Sequence, residues 1–201
     1  MKLYYTGNSP YARRARLAVL ESGLASQVEE IDVNPREKNL DLLLAQGPGA
    51  KVPVLVTDSG ESLCESLIIT RYIDECSGGK LMPADIGERV KATELEAIGS
   101  LLMDSLFVRS REINARPVEA QSQDVVNLER ERAARCYNEL ESKVSDAGSD
   151  VNCGTIAVVA ALGYANWRQP GDNWREGRPN LAAYYDRIME RPAFADTAPV
   201  F

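Results

Sequence analysis

The first part of the chain carries short apolar runs that are separated by turn residues. Residues 3–5 are bulky and typical of a strand, Gly7 and Asn8 favour a turn, and a helical pattern starts at Pro10. This pattern ends near residues 22–23, and residues 28–33 (VEEIDV) predict a second strand. A strand, a helix of about a dozen residues and a strand together predict a right-handed βαβ unit with parallel strands.

The pattern then continues with a short helix and a third strand. After a break at Asn34 and Pro35, residues 37–46 show helical spacing, and the residues predicted to face inward are Leu40, Leu43 and Leu44. Residues 51–56 (KVPVLV) predict a strand with Pro53 at its entrance, because proline cannot donate to a β-ladder.

A hairpin and a third helix complete the first part. Residues 62–64 predict a short antiparallel return strand after a turn at residues 58–61. Glu65 and Ser66 begin the helix, and its predicted inward residues are Leu67, Ile68, Tyr72 and Ile73. The order β-α-β-α-β-β-α predicts a small mixed α/β domain.

Only helical patterns follow the loop at residues 77–83. The predicted helices are residues 87–115, 122–145, 155–167 and 178–189. Inward positions in the first two are Val90, Leu95, Ile98, Leu101, Leu102 and Leu106, then Val125, Leu128, Cys136 and Leu140. The third helix is apolar nearly all round, which is typical of a central buried helix.

This change of pattern predicts two domains. Residues 1–77 form the α/β domain, residues 78–86 a linker and residues 87–201 an all-helical domain. The length of 201 residues is sufficient for either one large domain or two small ones.

Composition and charge narrow the function. The chain is 44% hydrophobic and 26% charged, as in ordinary soluble globular proteins. Its net charge of -7 argues against nucleic acid or an anionic membrane as the main partner. The N-terminus opens directly into a strand with no leader pattern, and no apolar run approaches the length of a membrane span. We therefore expect a cytoplasmic protein.

The residue inventory excludes several kinds of site. There is no histidine, which removes His-dependent triads, His general bases and most transition-metal sites. The four cysteines lie far apart without a CxxC pair, which argues against zinc and dithiol redox motifs. We expect no metal, and we expect Cys64, Cys76, Cys136 and Cys153 to be small buried residues of a reducing compartment.

Ser9 lies where the first strand turns into the first helix. A serine is favoured at a helix N-cap and Pro10 is favoured at the next position. An anionic atom beside Ser9 would meet unpaired backbone N–H groups and the positive end of the helix dipole. Taken alone, these two residues predict either a helix cap or a site that holds a negative charge next to a hydroxyl.

Three motifs in this order resemble the cytosolic glutathione transferase family. They are residues 9–14 (SPYARR) after the first strand, residues 51–55 (KVPVL) before the third, and Glu65-Ser66 before the third helix. The resemblance extends over essentially the whole chain and is strongest to bacterial members with serine at this position. It implies a thioredoxin-like N-terminal domain, an all-α C-terminal domain, glutathione as co-substrate and a homodimer.

The resemblance also implies roles for individual residues. Ser9 is the catalytic residue, whose hydroxyl favours the thiolate of bound glutathione, and the thiolate is the nucleophile. Pro53 carries a cis peptide bond after Val52, whose N–H and C=O pair with the cysteinyl part of glutathione. Glu65 and Ser66 hold the γ-glutamyl end. Lys51 either reaches the glycyl carboxylate or is a solvated surface lysine.

The electrophile site is expected between the domains, over Ser9. Tyr11 and three residues at four-residue spacing, Met103, Phe107 and Arg111, are the candidates. The alternative for Met103 and Phe107 is ordinary core packing. Arg111 and the neighbouring Arg109 either attract an anionic substrate or form surface ion pairs. In a dimer of the family type, Asp104 reaches the glutathione of the partner subunit.

Three departures from the family pattern affect the interpretation. Ser9 stands where thiol–disulfide relatives carry cysteine, which argues against glutaredoxin-like reduction and dehydroascorbate chemistry. Ala12 stands where the isomerase branch usually has a second serine, which weakens a maleylacetoacetate isomerase assignment. Thr155 opens no Ser/Thr-x-x-Asp capping box, because Val158 stands at the acidic position.

Three functions remain open from the sequence. The first is an enzyme that conjugates glutathione to a small electrophile or reduces an organic hydroperoxide. The second is a binding or scaffold protein that keeps glutathione without useful turnover. The third is a glutathione-dependent dehalogenase or ring-cleaving accessory enzyme, which differs only in the electrophile pocket.

Overall fold

A four-stranded sheet forms the centre of the N-terminal part of the computed structural model, which describes residues 1–34, 39–148 and 150–199. The strands are β1 (Lys2–Tyr5), β2 (Glu29–Asp32), β3 (Val54–Val56) and β4 (Ser62–Cys64). They lie in the order β2-β1-β3-β4, with β1 and β2 parallel and the other pairs antiparallel. The predicted parallel βαβ unit and the return strand are therefore confirmed.

Helices cover both faces of this sheet. They are α1 (Pro10–Glu21), α2 (Leu40–Gln46) and α3 (Ser66–Cys76). On one face α1 and α3 pack together over Leu3 and Leu55 in the main core. On the other face a smaller cluster joins Leu43 of α2 to the sheet. The sheet with its helices is the thioredoxin-like arrangement that the resemblance implies.

Two of the predicted inward faces in this part are only partly correct: Leu43 and Ile73 are buried as predicted and Tyr72 packs against the core, but the other predicted residues are exposed. In α2 only Leu43 is buried, while Leu40 and Leu44 are 47% and 51% exposed, because this short helix contacts the sheet through one side. In α3, Leu67 and Ile68 are exposed, because the face that meets α1 begins with the buried Ser66 and continues through Ile69 and Ile73. The predicted break at Pro35 and helix start at Glu37 lie outside the described residues.

The rest of the described chain is mainly helical. It contains α4 (Ile86–Ala115), α5 (Gln123–Lys143), α6 (Cys153–Arg168), α7 (Pro179–Met189) and α8 (Pro192–Asp196). The prediction of a central buried helix is confirmed, since every residue of α6 up to Ala165 is buried. Helix α4 packs along α6 on one side and along α5 on another. The proposed domain boundaries at residues 77 and 86 stay a prediction.

The cap of α6 differs from the expectation. The helix begins at Cys153, two residues before the predicted start at Thr155, with Asn152 as its N-cap. The Asn152 side chain accepts from the Gly154 and Thr155 N–H groups at 2.9 and 3.1 Å, and the Thr155 hydroxyl accepts from the Asn152 N–H at 3.4 Å. A reciprocal capping box is therefore present, with its N-cap three residues before Thr155, where none was expected.

Several apolar residues of α4 and α5 lie outward, contrary to the prediction. Val90 and Leu101 in α4 are 60% and 54% exposed, and Leu128 in α5 is 50% exposed. They lie on faces that no other described helix covers. In the described part of the chain, no helix has the length and apolar character that crossing a membrane requires.

Candidate active site

The strand register brings the three sequence motifs to one end of the sheet. Tyr4 near the end of β1 pairs with Val54 at the start of β3, and Val54 pairs with Cys64 at the end of β4. The turn after β1, the bend before β3 and the junction after β4 therefore lie at the same edge. This edge is where a ligand that contacts all three motifs has to bind.

Ser9 is the N-cap of α1, as predicted. Its backbone is extended, with φ −85° and ψ 122°, and its Oγ accepts from the Ala12 N–H at 3.2 Å. Pro10 occupies the first helical position. The Ser9 side chain is half-buried. Because Oγ acts as acceptor in the cap, its hydrogen is available for donation to a bound atom at the helix N-terminus.

The bend before β3 has the predicted cis peptide bond between Val52 and Pro53. Pro53 is buried, Val52 is half-buried and Lys51 is exposed. The ladder pairs of β3 begin at Val54, so Val52 lies just outside the sheet ladder. Its backbone groups are thus in position to continue the ladder with an extended ligand.

The junction after β4 has an unusual backbone conformation. Glu65 is exposed and has φ 70° and ψ 116°, a region that residues other than glycine rarely adopt. Such conformations cluster at ligand sites, where the surrounding structure holds them. The next residue, Ser66, is 4% exposed and starts α3. The pair combines an outward carboxylate with a hydroxyl and a helix N-terminus.

Arg14 is a site neighbour that the sequence reasoning missed. It is 3% exposed, its Nη2 donates to Ser100 Oγ at 2.5 Å, and its Nη1 lies 3.5 Å from Ser66 Oγ. These two contacts join α1 to α4 and to α3. The consecutive arginines at residues 13–14 interrupt an otherwise apolar helix face, but their spacing does not show which elements each one contacts.

Tyr11 connects α1 to α4 at the side of this edge. Its hydroxyl donates to Asp104 Oδ1 at 2.6 Å, and its ring packs edge-to-face on Phe107 with 5.5 Å between centroids. Burial raises the pKa of Tyr11, and the hydrogen bond to Asp104 raises it further. Tyr11 is therefore a neutral donor, and within this chain Asp104 serves as its acceptor.

The predicted electrophile residues on α4 separate into two groups. Met103 is fully buried in the main core and does not line an open site. Phe107 is 37% exposed and, with Arg111, lines a cleft of about 290 Å³. The three residues are spaced by four along α4, but this face of the helix turns away from the core along its length. Met103 is therefore a core position, whereas Phe107 and Arg111 line a surface cleft.

Arg109 has neither of its two expected roles. It is 1% exposed, and its Nη2 forms an ion pair with Asp172 at 2.6 Å. The Tyr137 hydroxyl donates to the same carboxylate at 3.1 Å. Arg109 is thus an interior anchor between α4 and the turn after α6, and it is neither a surface ion pair nor a substrate contact.

The cysteines are only partly as expected. Cys136 and Cys153 are buried, whereas Cys64 and Cys76 are exposed, and all four are free thiols. Burial and the charge of Glu96 raise the pKa of the Cys153 thiol to about 11. Across residues 1–34, 39–148 and 150–199, no group of three or more cysteines and carboxylates is arranged to hold a metal ion.

Comparison with known proteins places this geometry in a family. Residues 3–80 match the family described as glutathione S-transferase, N-terminal domain. The chain is 34% identical over 204 residues to the uncharacterized GST-like protein YibF of Escherichia coli K12, covering 99% of this chain and 98% of that protein. It is 28% identical to glutathione S-transferase 2 of Saccharomyces cerevisiae, covering 96% of this chain and 87% of that protein.

Solved structures agree with the sequence relatives. A glutathione transferase family member from Pseudomonas fluorescens Pf-5, crystallised with bound glutathione, has a TM-score of 0.92 and 28% identity, covering 100% of this chain and 99% of that one. A glutathione S-transferase from Methylobacillus flagellatus KT with glutathione bound has a TM-score of 0.89 and 29% identity, covering 99% of each chain.

Proposed function

The chain belongs to the glutathione S-transferase family, and from this premise we propose that it binds glutathione at the Ser9 edge of the sheet and joins it through its sulfur to a small electrophile. The observation that carries the proposal is the Ser9 hydroxyl. Its oxygen accepts from the Ala12 N–H, so its hydrogen is free to be donated to a ligand at the start of α1. The glutathione-bound structural neighbours support the choice of ligand.

The proposed contacts of glutathione follow the three motifs. The γ-glutamyl carboxylate meets the Ser66 hydroxyl and N–H at the start of α3, and Glu65 meets the ammonium group. The cysteinyl part pairs with the backbone of Val52 beside Pro53. Lys51 is exposed next to this bend and faces the glycyl carboxylate. The thiol then reaches Ser9.

The chemical step uses the thiolate of glutathione and not a protein nucleophile. The bound thiol loses its proton to solvent, and the Ser9 O–H donates to the sulfur that results. In conjugation, a bond forms between sulfur and the electrophilic carbon, and the leaving group departs with the electron pair. With a hydroperoxide, two glutathione molecules give the disulfide, an alcohol and water.

The electrophile is proposed to bind beside Tyr11. The Tyr11 ring, Phe107 and Arg111 offer an aromatic wall with a cation nearby, which suits a partly apolar electrophile. Because the Tyr11 hydroxyl already donates to Asp104, the ring and not the hydroxyl is the surface it presents. For this chain alone, a reach of Asp104 to the glutathione of a partner subunit stays a prediction.

We also propose that the chain forms a homodimer. Four apolar residues of α4 recur at spacings of four, eleven and seven and are 42–70% exposed, namely Ile86, Val90, Leu101 and Val108. An exposed apolar stripe of this kind is typical of a face that a second helix covers. A light-scattering mass near that of one 22.1 kDa chain would contradict the dimer.

The test of the proposed function compares two serines with the same local role. Ser9 and Ser122 are both helix N-caps whose hydroxyls accept a backbone N–H, but Ser122 caps α5, away from the site. Loss of a hydroxyl donor to an anion is worth about 1.5–3 kcal/mol, so Ser9→Ala is expected to raise the pKa of the bound thiol by about one to two units. Ser122→Ala is expected to leave it unchanged.

The measurements are calorimetric binding of glutathione and the pH profile of kcat/KM with an activated aryl chloride. If the wild type shows no saturable binding, the proposed function is wrong. If it binds glutathione but turns over no aryl chloride or hydroperoxide, the chain is a glutathione-binding scaffold. If Ser9→Ala keeps the wild-type pH profile, the proposed role of Ser9 is wrong.

A further inference from the structure

Arg14 is a buried cation whose hydrogen-bonding capacity is only partly used. It is 3% exposed, its Nη2 bonds to Ser100 Oγ at 2.5 Å, and its Nη1 makes a long contact of 3.5 Å with Ser66 Oγ. Among the described residues, its Nε has no hydrogen-bond acceptor and no carboxylate forms an ion pair with it. A guanidinium has five N–H donors, so most of them are unmatched.

Two other buried arginines differ from Arg14 in different ways. Among the described residues, Arg109 also has nitrogens without acceptors, Nε and Nη1, but the Asp172 carboxylate pairs with its charge. Arg13 is 2% exposed, and all three of its nitrogens have partners within the chain. Its Nε donates to Thr197 Oγ1, its Nη1 to the Val159 carbonyl and its Nη2 to the Phe194 carbonyl, at 3.3, 3.3 and 2.9 Å. Arg13 is therefore satisfied as an interior anchor, whereas Arg14 is not.

An unmatched buried charge favours the arrival of an anion. Burial lowers the pKa of the Arg14 guanidinium, and the charges of Glu96 and Asp104 act in the opposite direction without direct contact. Glu96 is itself paired with Arg71. A carboxylate bound close to Arg14 would supply a negative charge in direct contact with the guanidinium, which no described residue supplies.

We propose that Arg14 is a positioning residue that acts through Ser66 on the γ-glutamyl carboxylate of glutathione, an inference that rests on the proposed function. A guanidinium N–H directed at a lone pair of the Ser66 oxygen leaves the hydroxyl hydrogen free for the ligand. The carboxylate then receives the Ser66 hydroxyl and lies in the field of the guanidinium. Ser100 holds the guanidinium in place, since its own hydroxyl donates to the Glu96 carbonyl at 2.7 Å.

The test uses two glutathione analogues that each lack one group of the γ-glutamyl end. The 4-aminobutyryl analogue keeps the ammonium and lacks the carboxylate, while the glutaryl analogue keeps the carboxylate and lacks the ammonium. Binding of glutathione and both analogues is measured by calorimetry for the wild type and for Arg14→Met and Arg14→Lys. Arg13→Met and Arg13→Lys are the matched controls, because Arg13 is equally buried on the same helix.

Arg14→Met is expected to weaken glutathione and the glutaryl analogue by about 10- to 100-fold and to leave the Kd of the 4-aminobutyryl analogue unchanged. Arg14→Lys keeps the charge but not the planar fork, so it is expected to give a smaller loss with the same ligand dependence. If Arg14→Met does not fold, Arg14→Lys alone decides the ligand dependence. The Arg13 variants are expected to lower the melting temperature without changing the ratio of the three Kd values.

Equal weakening of all three ligands in the Arg14 variants would mean that Arg14 only supports the fold, and the inference would be overturned. Unchanged binding of glutathione would overturn it as well. In both cases the wild type still binds glutathione, so the proposed function stands. A wild type that binds neither glutathione nor the analogues would instead refute the proposed function and, with it, this inference.

Discussion

Replacement of Gly99 by alanine tests the close approach of α4 and α6. A Cβ atom at Gly99 would lie 2.9 Å from the Ala157 carbonyl carbon, 2.9 Å from the Val158 nitrogen and 3.0 Å from the Ala157 Cβ. Ordinary contacts of this kind start at 3.4 Å. The two helices therefore have to separate by roughly half an ångström along their packed faces.

The expected cost follows from what surrounds the new methyl group. Overpacking a well-packed core costs about 1–3 kcal/mol, and the upper part of that range applies because two of the three nearest atoms are backbone and cannot rotate away. Alanine recovers about 1 kcal/mol through its better helix propensity. The net loss in the free energy of unfolding is about 2 kcal/mol, which lowers the melting temperature by about 4–8 °C in a chain of this size.

The assay is thermal and denaturant unfolding of the wild type, Gly99→Ala and Gly99→Ser. The larger serine is expected to cost at least as much as alanine. Gly171 is the matched control, because a Cβ there meets nothing within 4 Å, so Gly171→Ala is expected to be neutral or slightly stabilising. If Gly99→Ala were as stable as Gly171→Ala, the contact between α4 and α6 would be looser than the structure indicates, and the reasoning would fail.

Two further predictions concern titration and thiol reactivity. Burial and the nearby Asp172 raise the pKa of Tyr137 above its usual value of 10.0, so above pH 10 the unfolded chain loses this proton while the folded chain keeps it. From this residue the free energy of unfolding is therefore expected to fall by about 1 kcal/mol between pH 10 and 11, and Tyr137→Phe should show a correspondingly shallower loss in denaturant titrations over this range. A thiol reagent is expected to label Cys64 and Cys76 in the native protein, and labelling of buried Cys153 without unfolding would contradict its burial.

The secondary structure and the three motifs could be predicted from the sequence because their signals are local. Ser9 and Pro10 cap α1 through bonds to nearby residues. The residue types predict a proline at the entrance of β3 and a helix start at Glu65-Ser66, while the cis bond at Pro53 was expected from the family resemblance and the left-handed backbone of Glu65 was not predicted. The all-round apolar pattern of α6 likewise predicts its central position. For such features the partner atoms lie within a few residues along the chain.

Which face of a helix is buried was decided only by tertiary packing. Leu67 and Leu101 have the same apolar character as buried leucines, yet they are exposed because no described element covers them. Arg109 is polar but interior because Asp172, far along the chain, supplies its counter-charge. Periodicity shows that a helix has an apolar side, but the neighbouring elements determine how far that side extends.

In the candidate site, too, some features could be predicted from the sequence and others depend on tertiary packing. The residues proposed to touch glutathione were found because three short motifs, in order along the chain, resemble those of a known family. The contacts of Arg14 with Ser66 and Ser100 join three helices, and the bond from Tyr11 to Asp104 spans 93 residues. Such contacts depend on how α1, α3 and α4 are placed in space, and that placement results from the summed packing of the whole core and not from any local run of residues.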